Sequence, residues 1–133
     1  MDTRFHIDYD WWEQTGKDIR VDMRQICAEI GEEGLDDADD SMMVDWVDPL
    51  TAEVRQVDGM MYAFLVQCSR NPEFVNERIP LTEAVFRTLL ASGNRPMTPV
   101  ELAERTGRPA EMILRTLSGP RVYKGLRPVE DEE

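Results

Sequence analysis

The chain has 133 residues, 41% hydrophobic and 32% charged, with 27 acidic against 15 basic side chains and a formal net charge of −12. That length suits one compact domain or two small ones and excludes a large enzyme scaffold, while the hydrophobic share excludes wholesale disorder. No apolar run approaches the length a membrane helix needs, and MDTRFHIDYD carries acids where a secretory signal carries a basic end, so a cytoplasmic protein with no membrane partner is expected.

In chain order, residues 4–8 suit a short strand. Asp10 and Glu13 have capping-box spacing, and Trp12, Ile19, Met23, Ile26 and Ile30 recur at helical intervals. The pattern predicts a helix over about 11–30, split or kinked at Gly16. GEEGLDDADD, residues 31–40, has six acids and almost nothing to bury; it lacks the alternating oxygen ligands of a calcium loop and reads as a charged linker. MMVDWVDPLTAEVRQVD reads as a hairpin turning at Asp48-Pro49, with Val44 and Trp46 on one face. Asp58 then caps a helix carrying Met61, Phe64, Leu65 and Cys68, and Asn71-Pro72 ends it at a domain boundary. Cys27 and Cys68 are distant in sequence and each lies in an apolar helical pattern, which favours buried reduced thiols over a disulfide or metal pair.

From residue 81 the local signals agree. Thr82 reads as an N-cap, Val85, Phe86, Leu89 and Leu90 as a buried stripe, and Gly93-Asn94 as a stop. Met97-Thr98-Pro99-Val100-Glu101 supplies a staple, an N-cap, a proline at the first helical position and a capping-box glutamate. That helix ends at Gly107, and Pro109 opens a third whose buried side is Ile113, Leu114 and Leu117. RVYKGLRP suits a short strand with a glycine turn. The charge is divided between the two halves: residues 1–79 carry −12, residues 80–128 carry +4, and Glu130, Asp131, Glu132 and Glu133 carry the rest.

Three helices with a tight turn between the second and third resemble the bacterial helix-turn-helix class, here as an abbreviated winged helix over about residues 80–128. Ala103 stands where the helices touch, Gly107 where a positive φ is cheap, and Ile113 where the third helix packs back. The resemblance implies double-stranded DNA as partner, with the third helix in a major groove presenting Arg108, Glu111, Met112 and Arg115. Arg121, Lys124 and Arg127 in the strand-like tail would then track phosphates. Glu111 repels phosphate unless it accepts from a cytosine amine, and it speaks for a rival reading in which the helices dock a protein.

Outside this segment no phosphate loop, nucleophile elbow or zinc-ligand spacing occurs, so neither catalysis nor a cofactor is expected. A weaker third reading, a small metal-dependent enzyme, would use His6, Asp8 and Asp10 on one strand face. Trp11, Trp12 and Trp46 lie in acidic surroundings and read as core or partner contacts; Met42, Met43, Met60 and Met61 read as core or as an adaptable contact face. The expected fold is α+β and mainly helical, in three parts. Residues 1–76 form an acidic module of helix, hairpin and helix for dimerisation or a basic partner, 77–128 the helix-turn-helix, and 129–133 an acidic tail. The expected function is a small non-enzymatic transcriptional regulator; the alternative is a protein-protein adaptor.

Overall fold

Six helices and two small antiparallel sheets make up the residues described by the computed structural model, 2–31, 42–48 and 51–129. The architecture is α+β and about 47% helical. Apart from Gly31 and Val129, the expected linker 31–40 and tail 129–133 lie outside the described residues, as does Pro49 of the expected turn.

The chain forms two units, one spanning Ile19–Phe74 and the other joining Met1–Asp18 to Val75–Glu133. One junction lies beside the expected boundary at 76, but residues 1–18 belong with the C-terminal part and not with the acidic module. The reason is a strand that needs a partner. β1 (Phe5–Ile7) pairs antiparallel with β4 (Leu126–Pro128), Ile7 opposite Leu126, and on its other side Phe5 exchanges both backbone hydrogen bonds with Met97, at 2.7 and 3.0 Å. The alternation places Phe5 and Ile7 inward, fully buried with Met97 and Leu126. Asn94 anchors the strand end: its amide oxygen accepts from Ile7 N–H at 2.7 Å and its amide nitrogen donates to the Ile7 carbonyl at 2.9 Å.

The expected helix over 11–30 is two helices, one in each unit. α1 (Tyr9–Gln14) is capped by Asp8, whose carboxylate accepts from Asp10 N–H at 3.0 Å, so the cap falls two residues before the expected Asp10. The chain breaks at Gly16, and α2 (Ile19–Glu29) starts afresh. Trp12 is buried in the first unit, its indole donating to the Lys124 carbonyl at 2.9 Å and its ring 5.6 Å from Phe86.

The rest of this unit is tri-helical. The central helix, α4 (Leu81–Ala91), is buried without interruption from Ala84 to Leu90. Its cap position is Pro80, not Thr82, which lies inside the first turn. α5 (Pro99–Thr106) has the full capping box at Thr98 and Glu101 and the expected proline start. It ends at Gly107, whose φ of 73° is left-handed. α6 (Ala110–Leu117) follows, starting one residue later than expected, with Pro109 as its cap residue and not its first helical residue.

The Ile19–Phe74 unit builds its core from α2, the hairpin and a helix that changes pitch. β2 (Met43–Val47) pairs antiparallel with β3 (Val54–Asp58), Trp46 opposite Arg55 and Val47 opposite Val54. Trp46 is buried, as the alternation predicts, with the Arg55 guanidinium 5.0 Å from its ring. Asp58 caps α3 (Gly59–Ala63), accepting from Met61 N–H at 2.7 Å through one oxygen while the other pairs with Arg20 at 2.6 Å. α3 continues into a π-helical turn, Phe64–Cys68. Here the thiol expectation is corrected, because Cys27 and Cys68 are joined in a disulfide with Cα atoms 5.6 Å apart. Both cysteines are buried in this core, α2 packing its Cys27 face against the π turn, and separation along the chain carries no information about that proximity.

Candidate nucleic-acid interface

α6 owes its orientation to the turn before it. The capping box starts α5, Gly107 reverses the chain in a conformation costly for other residues, and Ile113 and Leu117 turn one side of α6 into the core, exposed to 0% and 4%. The opposite side is thereby forced into solvent. Glu111, Met112 and Arg115 share that side at helical spacing and are all exposed, Met112 by 51%.

The other expected contacts divide. Arg108 does not project with them: its guanidinium reaches back to the Ile79 carbonyl at 2.6 Å and, more weakly, to the carbonyls of Asn76 and Glu77 at 3.4 Å. It pins the segment leading into α4 to the turn leading into α6. Lys124 places its ammonium 2.7 Å from Glu83 and 5.0 Å from the Phe86 ring centre, while Glu83 also holds the buried Arg87 at 3.0 Å. Arg127 pairs with Asp8 at 2.8 Å. These three cations therefore serve packing in this arrangement, joining segments distant in sequence. Arg121 is exposed, its guanidinium carbon 5.1 Å from the Tyr123 ring centre.

Five further exposed cations of the unit, Arg4, Lys17, Arg78, Arg95 and Arg105, were not among the expected contacts. Arg105 lies in the last turn of α5, and its position outside the stripe defined by Leu102 and Thr106 was the available signal. His6, Asp8 and Asp10 do not form one strand face, since β1 ends at Ile7, Asp8 caps α1 and Asp10 lies within it. Among the described residues no group of three or more potential metal ligands comes together, and no helix is long and apolar enough to cross a membrane. Comparison with protein-family models, curated proteins and solved structures gives no match, so the chain is assigned to no family on sequence or on fold.

Proposed function

We propose that the unit formed by the two chain ends binds double-stranded DNA as a helix-turn-helix, with α6 as the groove helix, and that the protein is a small non-enzymatic transcriptional regulator. The observation that carries this reading is the unit of α5, left-handed Gly107 and α6, which buries Ile113 and Leu117 and holds Glu111, Met112 and Arg115 outward together. Arg115 matches the paired acceptors of guanine, Met112 a thymine methyl and Glu111 a cytosine amine. Arg105 and Arg121 supply phosphate contacts from α5 and from the loop before β4. The local charge of +4 over residues 80–128 favours the approach. The sheet of Met97, β1 and β4 takes the place of a wing, completed by the N-terminal strand.

A second reading, protein docking on the same α6 face, draws on Met112: a half-exposed apolar side chain between a carboxylate and a guanidinium is as apt for a protein as for a base edge.

The test uses the full chain, since a fragment of residues 77–133 lacks β1 and with it the buried Phe5 and Ile7. Fluorescence anisotropy with a mixed-sequence duplex should give affinity that falls steeply with salt, and Arg105→Ala or Arg121→Ala, each removing a phosphate contact, should weaken it and lower the slope by about one. No binding at about 50 mM salt, or a slope equal to wild type in both Arg105→Ala and Arg121→Ala, rejects the DNA reading.

A further inference from the structure

We propose that the outer face of the β2–β3 hairpin docks an extended, basic segment of a partner protein, which adds a strand beside β2 and presents apolar, basic and apolar side chains at alternate positions. The inference concerns the Ile19–Phe74 unit and stands apart from the DNA reading.

The pleat divides the hairpin into two faces. Val44 and Trp46 look inward; Met43, Asp45 and Val47 of β2, with Val54 and Gln56 of β3, look out. Met43, Val47 and Val54 are each 54% to 60% exposed, three of the eight large hydrophobic side chains found exposed in the described residues, and Met42, just before β2, is a fourth. Such a concentration on one two-stranded ribbon marks a contact surface. Among the described residues the sheet has only these two strands, so no further strand pairs with the outer edge of β2. An edge of this kind offers its alternate N–H and C=O groups to an incoming extended chain.

The side chains select the occupant. Along β2 the outward row reads Met43, Asp45, Val47, apolar then acidic then apolar. Along β3 the corresponding row ends at Asp58, which Arg20 and the Met61 N–H already engage, so β2 carries the available carboxylate. A second copy of the chain is disfavoured: antiparallel pairing about a two-fold axis through Asp45 sets two carboxylates directly opposite, a destabilising pair. Lysine or arginine in that place reverses the sign. The long-range field agrees, because residues 19–74 carry 13 acidic side chains against 4 arginines and attract a cationic partner.

The test is binding of the full chain to two labelled peptides, Thr-Val-Thr-Lys-Thr-Val-Thr and the same peptide with glutamate for lysine, measured by anisotropy. The lysine peptide should bind on the order of ten-fold more tightly, and Asp45→Lys should reverse the order. Gln56→Lys, across the ladder from Asp45, should narrow the difference without altering β2, and circular dichroism checks that both variants remain folded. Equal affinities, an order indifferent to Asp45→Lys, or no binding of either peptide at about 1 mM overturns the proposal. Sedimentation equilibrium at the same protein concentrations excludes the other occupant: a dimer dispersed by Met43→Lys means that a second copy covers the face, and equally overturns it.

Discussion

Arg108 was legible as a cation beside the turn but not as a clamp. Its location makes two readings separable, because a phosphate contact acts on affinity and its salt slope, whereas hydrogen bonds to the Ile79, Asn76 and Glu77 carbonyls act on stability. Arg108→Ala should lower the unfolding free energy by about 1–2 kcal/mol, one short charge-assisted bond being the main loss, and leave the salt slope of DNA binding unchanged. Urea titration and the anisotropy series check the two halves of that statement; an altered slope with unaltered stability would return Arg108 to the interface. Two glycines allow a similar separation. Gly107 and Gly125 have φ of 73° and 78°, but an added Cβ at Gly107 meets nothing within 4 Å, whereas at Gly125 it stands 2.9 Å from the Asp8 carbonyl oxygen and 3.1 Å from the Trp12 indole nitrogen. Gly107→Ala should therefore cost about 1 kcal/mol from backbone strain alone. Gly125→Ala should cost at least 1 kcal/mol more, since β1, α1 and β4 meet there and one of them must move. Equal midpoint shifts in the two variants would mean that the approach of Gly125 to Asp8 is not tight in solution.

Helix ends were legible in proportion to how local their chemistry is. At α5 the cap, the proline and the reciprocal glutamate all fall within four residues, and the structure has each of them: Glu101 N–H donates to Thr98 Oγ1 at 3.2 Å and Thr98 N–H donates to Glu101 Oε1 at 3.2 Å. Thr98→Ala should lower stability by about 1 kcal/mol, and because α5 carries the turn it should also weaken DNA binding without changing the salt slope. Loss of stability with full affinity would indicate that the α5 cap does not position α6. The caps of α1 and α4 were each misplaced by two residues, because Asp8 against Asp10, and Pro80 against Thr82, are decided by where β1 and the preceding segment deliver the chain. The same limit hid the pairing of β1 with β4, the Lys124–Glu83 and Arg127–Asp8 ion pairs and the disulfide. Each joins residues at least 40 positions apart, where neither periodicity nor capping has reach. Of the α6 face, Glu111, Met112 and Arg115 were readable because helical periodicity with Ile113 and Leu117 inside leaves them outside.

At the scale of the whole molecule, the disulfide falls wholly within one unit. Cys27 and Cys68 enclose a loop with a sequence separation of 41, most of the Ile19–Phe74 unit, including both hairpin strands. Closing a loop of that length restricts the unfolded chain by about 4 kcal/mol in the chain-entropy view, a large fraction of what so short a unit gains from its own core. The other unit has no cysteine and draws its core from α4, α5, α6, β1 and β4. Reduction should therefore act unequally. With a phosphine reductant present, amide hydrogen exchange should accelerate across α2, β2, β3 and the π turn, by up to about three powers of ten where exchange requires opening of that unit. Exchange in α4 to α6 should stay within a few-fold of the oxidised protein. A uniform acceleration through both units would show that they open together, and no acceleration anywhere would show that the core of Met23, Ile26, Trp46, Met60 and Phe64 holds the unit without its cross-link. The unequal result also bears on the hairpin: Asp45 and its apolar neighbours are presented as a row only while β2 stays paired with β3, so reduction should weaken the lysine peptide while DNA binding persists.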